Sequence, residues 1–72
     1  MVRIEHCHQN GCYAIDTEKD GRVGSFKLSG VEYTKFLMER VNTYGYRVET
    51  TENGVMVLCL PGDTYYYIIR NN

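Results

Sequence analysis

Apolar residues in the middle of the chain recur with the period of an α-helix. At 100° per residue, four of them fall on a single stripe, made by Tyr33, Leu37, Val41 and Tyr44. Phe36 falls on the opposite side, among polar residues. Such a stripe is typical of a helix that packs with one face on a sheet, so the pattern predicts an amphipathic helix within residues 29–45.

The residues at both ends of this segment support the helix. Ser29 and Glu32 have the spacing of a capping box, in which each side chain accepts a hydrogen bond from the backbone of the other residue. Gly45 suits the left-handed position that follows a last turn, and Tyr46 could then fold back on Val41. The helix is therefore expected to begin after Ser29 and to end before Gly45.

Before the helix, two turn dipeptides divide the chain into three short runs. Asn10 with Gly11 and Asp20 with Gly21 favour two-residue hairpin loops, because both central residues of a type I′ turn need positive φ. Both loops place the same side chains inward, namely Ile4, Tyr13, Ile15, Phe26 and Leu28. This agreement predicts a three-stranded meander with its second strand at residues 12–19.

After the helix, an Asn-Gly pair at residues 53–54 marks another hairpin, in which Val48 lies opposite Cys59. A turn at residues 61–64 then returns the chain, so that Tyr66 also lies opposite Cys59. This register makes one face of the second meander apolar, with Val48, Val55, Val57, Cys59, Tyr66 and Ile68. The other face is apolar as well.

The expected architecture is an α+β fold in the order βββαβββ, with a mostly antiparallel sheet and one amphipathic helix packed on one face. The 72 residues are expected to form one small globular domain. The strand order across the sheet stays open, since the helix could bring the fourth strand beside the third or beside the first. A domain of this size has little core, so self-association, metals or disulfides commonly add stability.

The two meanders differ in their outer faces. Arg3, Glu5 and Lys27 make the outer face of the first one polar, as expected for a sheet that faces solvent. The second meander has an apolar face that one helix cannot also cover, formed by Met56, Leu58, Tyr65, Tyr67 and Ile69. Such a patch is either the interior of a two-sheet arrangement or an interface. We therefore assign these five residues to partner binding, with a second copy or another protein as the partner.

Charge and hydropathy narrow the classes of partner. The formal net charge is −1 and both signs are scattered, unlike the basic patch of a nucleic-acid-binding domain. An alternative remains in which Tyr65 and Tyr67 stack single-stranded bases while Arg47 and Arg70 contact phosphates. The longest apolar run, residues 55–60, is far shorter than the ~20 residues that cross a bilayer, so no membrane partner is expected.

Histidines and cysteines cluster near the N-terminus without forming a recognisable site. His6, Cys7, His8 and Cys12 are zinc-ligand types, but neighbours on a strand point to opposite faces and do not converge on one ion. The same alternation separates Cys12 from His8 as a nucleophile and its base. Cys59 is expected to be a core residue, and without an export signal the thiols are expected to be reduced.

These patterns predict no catalytic residue, no cofactor and no metal. They favour a non-enzymatic protein-interaction module, such as a small cytoplasmic inhibitor or adaptor. The expected interface is the apolar, tyrosine-rich face of the C-terminal strands. The identity of its target does not follow from the module's own sequence, because complementarity depends on the partner.

Overall fold

A computed structural model describes residues 1–8 and 15–71. These residues form an antiparallel sheet and one helix, which confirms the predicted α+β class. The elements are β1 (Val2–His8), β2 (Arg22–Leu28), α1 (Gly30–Asn42), β3 (Arg47–Thr50), β4 (Met56–Cys59) and β5 (Tyr65–Asn71). The five strands lie in the order β2-β1-β5-β4-β3. The helix therefore leaves one edge of the sheet and leads into the strand at the opposite edge.

Both ends of α1 are as predicted. The Glu32 backbone N–H donates to the Ser29 hydroxyl over 3.2 Å, and the Ser29 N–H donates to the Glu32 carboxylate over 3.0 Å. Past the last turn, Gly45 has a φ of 76°, and the Tyr46 N–H donates to the Arg40 carbonyl over 2.9 Å. These local signals fix where the helix starts and how the chain leaves it.

The buried side of α1 differs from the predicted stripe. Phe36 is half-buried and meets Phe26 and Tyr67 edge to face, at ring-centroid distances of 5.7 and 5.3 Å. Tyr44, predicted to lie on the stripe, is 55% exposed. It follows the end of the helix at Asn42, so the helical period no longer places it. No residue of α1 is buried, and the helix rests shallowly on the sheet.

The predicted second strand is wrong for the residues that are described. Residues 15–21 form turns and bends, and β2 pairs directly with β1, with Ile4 opposite Phe26. The Asp16 carboxylate accepts the Glu18 and Lys19 N–H groups over 3.0 and 3.1 Å. Because this side chain satisfies backbone donors locally, it favours a turn over a strand. The expected turn at residues 10–11 lies outside the described residues.

The β3–β4 hairpin differs from the prediction by one residue. Val48 lies opposite Leu58 instead of Cys59, and the Thr51 N–H donates to the Val55 carbonyl over 2.9 Å. The loop thus has three residues, with positive φ at Gly54 alone. A shift of one residue turns Val48 to the other face of the sheet. The pairing of β4 with β5 is as predicted, with Cys59 opposite Tyr66.

Apolar side chains are buried on both faces of the sheet. The helix covers Ile4, Leu58 and Ile69 on one face, which we call the helix face. On the other face, Cys7, Val57, Tyr66 and Ile68 are buried and pack against Ile15 and Val55. The Tyr66 hydroxyl donates to Asp20 over 3.0 Å, so the turn at residues 15–21 covers part of this second face. The helix and this turn together close the core.

Glu5 is a buried carboxylate on the second face, where the sequence analysis expected a solvated residue. Its side chain is 3% exposed and forms ion pairs with Arg22 and Arg70. Burial raises the pKa of Glu5, but the hydrogen bonds and charges of the two arginines outweigh it and leave the pKa below its usual value. Glu5 therefore ties β1 to both of its neighbouring strands while it is ionised.

Candidate binding surface

The five residues assigned to partner binding do share one face, but it is the helix face. Leu58 is 0% exposed and Ile69 is 8% exposed, because α1 lies over both. Tyr67 is half-buried, whereas Met56 and Tyr65 are 38% and 40% exposed. The predicted interface is thus divided into core residues and residues that a partner can reach.

The two most accessible members lie apart. Met56 is opposite Ile69 and Tyr65 is opposite His8, near the two ends of β5. Ile69 is four positions after Tyr65, which is about 13 Å at the usual rise per residue. At the Met56 end, the Tyr33 hydroxyl donates to the Met56 sulfur over 3.6 Å. At the other end, Tyr65 contacts the rings of both His6 and His8.

Tyr65 is held by two histidines of β1. Its ring centroid lies 5.2 Å from that of His6 and 5.3 Å from that of His8. His6 in turn stacks on Tyr67 at 4.7 Å, with 18° between the ring planes. The geometry follows from the strand pairing, since His6 is opposite Tyr67 and His8 is opposite Tyr65. Cross-strand neighbours on one face approach closely enough for such ring contacts.

The turn before β5 leaves Tyr65 at the border of the covered area. Gly62 has a φ of 86°, and the Tyr65 N–H donates to the Asp63 carboxylate over 3.1 Å. These features start β5 at Tyr65. A 13-residue helix is about 20 Å long and about 10 Å wide, so it covers only part of five strands. Tyr65 and His8 extend beyond it.

Arg40 of α1 adds a cation to the same area. Its guanidinium carbon lies 4.8 Å from the Phe36 ring centroid, 5.1 Å from that of Tyr44 and 5.7 Å from that of Tyr67. Cation–π attraction of this kind stabilises the ring arrangement. We call the accessible group of His6, His8, Arg40, Tyr44, Tyr65 and Tyr67 the Tyr65 surface. Arg40 was not predicted from the sequence, although Phe36 and Arg40 have the i, i+4 spacing that brings helix neighbours together.

The residues of the nucleic-acid alternative are not brought together. Tyr65 and Tyr67 are on the helix face, whereas Arg70 pairs with Glu5 on the second face. Arg47 also lies on the second face, opposite Cys59, and pairs with Glu49 over 2.9 Å. The structure therefore does not place these arginines beside the tyrosines that would stack the bases.

No metal-binding group of three or more His, Cys, Asp or Glu residues is found among the described residues. His6 and His8 lie on the helix face and Cys7 on the second face, as the strand alternation predicts. Cys12 lies outside the described part of the chain. A cleft of about 720 Å³ lies between the 15–18 turn and β3. It is open to solvent, and its lining includes four carboxylates, of which Glu49 pairs with Arg47 over 2.9 Å.

The cysteines correct one expectation. Cys7 is a free, buried thiol, but Cys59 is disulfide-bonded, so the prediction of reduced thiols is wrong for Cys59. Cys59 does belong to the core, since it is 1% exposed. The burial of Cys59 could be predicted from the strand pattern. Its disulfide bonding could not, because it depends on contacts between residues distant in sequence.

Alkylation without reduction separates these two cysteines. We expect iodoacetamide, added in guanidinium chloride without reductant, to modify Cys7 and to leave Cys59 unmodified, because Cys7 carries a free thiol and Cys59 does not. Peptide mapping by mass spectrometry reads both residues in one sample, and prior reduction should make both reactive. Modification of Cys59 in the unreduced sample would show that this disulfide is absent.

No α-helix in the described part of the chain has the length and hydropathy to span a bilayer. Comparison of the chain with models of protein families, with curated proteins and with solved structures gave no match.

Proposed function

We propose that this chain is a non-enzymatic protein-interaction module that binds its partner through the Tyr65 surface. The observation that carries the proposal is the Tyr65 ring itself, 40% exposed yet held between His6 and His8. Tyrosine and arginine are enriched in protein interfaces, where a large ring is buried and its polar tip finds a partner. Because its contacts already orient the ring, little side-chain entropy is lost on binding.

Charge placement favours a protein over a single-stranded nucleic acid. Arg40 lies beside Tyr67, and it is already engaged with aromatic rings and with Glu39 over 2.8 Å. Phosphate binding normally needs several available cations along a groove. A small inhibitor or adaptor that buries Tyr65 against a target needs no such excess of positive charge.

The cytoplasmic location predicted from the sequence remains part of the proposal. It requires that Cys59 be reduced in the cell, because disulfides are rare in the reducing cytosol. Lysing the cells directly into guanidinium chloride with iodoacetamide tests this requirement, because the denaturant exposes the buried Cys59, which should then be modified if it was reduced in the cell.

A peptide selection tests the proposed function. Short random peptides displayed on phage and selected on the wild-type protein should include binders that lose about tenfold or more in affinity for Tyr65→Ala, as expected for a truncated interface tyrosine. Met56→Ala is the matched control, since Met56 is similarly exposed on the same face but at the other end of β5. The control should bind the peptides as the wild type does.

A labelled single-stranded oligonucleotide at low salt is the competing probe. Salt-sensitive binding of that probe, abolished by Tyr65→Ala, would replace the protein proposal by the nucleic-acid alternative. Failure to recover any peptide that distinguishes Tyr65→Ala from Met56→Ala would count against the Tyr65 surface altogether.

A further inference from the structure

Three cationic residues lie side by side on the second face of the sheet, away from the helix. Arg3 of β1 is opposite Lys27 of β2 on one side and opposite Arg70 of β5 on the other. Arg3 lies on the second face because it is two residues from Glu5, whose carboxylate is buried there. Neighbouring strands are about 5 Å apart, so the three residues form a row about 10 Å long, which we call the Arg3 row.

Two members of the Arg3 row have no acidic partner among the described residues. Arg70 pairs with Glu5, and Arg22 pairs with the same carboxylate. Arg3 and Lys27 are exposed and form no ion pair with any described residue. Like charges on directly opposite residues destabilise a sheet, so the stability of the fold gives no reason for placing Lys27 beside Arg3.

The charge of this area differs from that of the rest of the chain. Four of the eight Lys and Arg residues belong to the row or pair with Glu5, whereas Glu5 is the one member of the nine Asp and Glu residues found there. Elsewhere on the second face, Glu18, Glu49 and Glu52 line the cleft between the 15–18 turn and β3. The second face is therefore basic around β1 and acidic beside β3.

The extent of the basic area favours an acidic peptide over a nucleic acid. A polynucleotide carries a charge on every nucleotide, so a strand that crosses the second face would also meet the carboxylates of the cleft. A short peptide needs to cover only the Arg3 row. Two carboxylates on the same side of an extended peptide are about 7 Å apart, which is within the length of the row. Arginine also binds a carboxylate through two parallel hydrogen bonds, which adds geometric selectivity.

We propose that the Arg3 row binds a short acidic segment of a partner protein, with Asp or Glu carboxylates placed between its cations. Such a segment supplies the negative charge that Arg3 and Lys27 lack and offsets the repulsion between them. The row lies on the face opposite to the Tyr65 surface, so this inference does not depend on the function proposed for that surface.

A matched pair of peptides tests the proposal. A labelled peptide with glutamate at alternate positions should bind the wild-type protein at low salt, whereas the same peptide with glutamine in place of glutamate should not. Arg3→Gln and Lys27→Gln should each weaken this binding about two- to fivefold, as expected for the loss of one exposed ion pair. Lys35→Gln is the control, because it removes the same charge from an exposed position of the helix. Fluorescence anisotropy measures these affinities.

Two further measurements separate the Arg3 row from other causes of weaker binding. Lys27→Gln should unfold in urea at a midpoint no lower than that of the wild type, because it removes a like charge opposite Arg3. Tyr65→Ala should bind the glutamate peptide as the wild type does, since Tyr65 lies on the other face.

Equal binding of the glutamate and glutamine peptides would overturn the proposal. So would a Lys35→Gln protein that loses as much affinity as Lys27→Gln. A labelled oligonucleotide that binds more tightly than the glutamate peptide, and that loses affinity in Arg3→Gln and Lys27→Gln, would also overturn it and assign the row to phosphates.

Discussion

Leu58→Ala should lower the free energy of unfolding by about 3 kcal/mol, within the range measured for buried leucines. Leu58 is 0% exposed and packs with Ile4 and Ile69 beneath the helix, so its truncation removes apolar contacts and leaves a cavity. A domain of this length is stable by roughly 4–10 kcal/mol. The loss is therefore a large share of the total free energy of unfolding. Urea unfolding followed by circular dichroism should show it as a lower urea concentration at the midpoint.

Met56→Ala is the control for this measurement. Met56 lies on the same strand and the same face but is 38% exposed, so its truncation should cost less than about 1 kcal/mol. Equal costs at the two positions would mean that Leu58 is not covered by the helix. Leu58 would then belong to an open face, as the sequence alone suggested.

Glu5→Gln should lower the free energy of unfolding by about 1–3 kcal/mol at neutral pH, because it removes the carboxylate charge that Arg22 and Arg70 share, although both guanidinium groups keep partial access to water. The same pair of arginines should govern the response to acid. The pKa of Glu5 is lower in the folded chain, so its contribution is fully present above the ordinary glutamate pKa and is lost as pH falls through the folded value. Unfolding curves from neutral to acidic pH measure both effects.

The variant should therefore show a flatter dependence of stability on pH than the wild type. Glu52→Gln serves as the control, since Glu52 is exposed and forms no ion pair with any described residue. It should keep both the stability and the pH dependence of the wild type. A Glu5→Gln protein that loses stability in acid as steeply as the wild type would show that another group carries the effect.

The helix could be predicted because its signals are local. Ser29, Glu32 and Gly45 act within a few residues of the ends of α1, and no distant contact overrides them. The predicted type I′ hairpin loop at Asp20 and Gly21 is wrong, because neither residue has positive φ and no strand precedes it in the described residues. There the Asp16 side chain satisfies nearby backbone groups, and β2 pairs with β1 in place of the predicted strand.

The candidate site was harder to predict because it depends on which face of the sheet the helix covers. Both faces of β4 and β5 are apolar, so the sequence gives no preference between them. The covered face is decided by the path of the chain from β2 at one edge to β3 at the other. Tyr65 was identified correctly as an accessible aromatic residue, whereas Leu58 and Ile69 became core. The ion pairs of Glu5 were not predicted because Arg22 and Arg70 are distant from Glu5 in the sequence and come close to it only through strand pairing.

The most direct test of the Tyr65 surface is an NMR titration of labelled protein with a peptide recovered in the selection. We expect the backbone and ring signals of His8, Tyr44 and Tyr65 to shift together and saturably, while the backbone signals of Tyr33 and Met56 stay in place. Shifts centred on Tyr33 and Met56, with Tyr65 unaffected, would contradict the assignment and move the binding site to the Met56 end of the helix face.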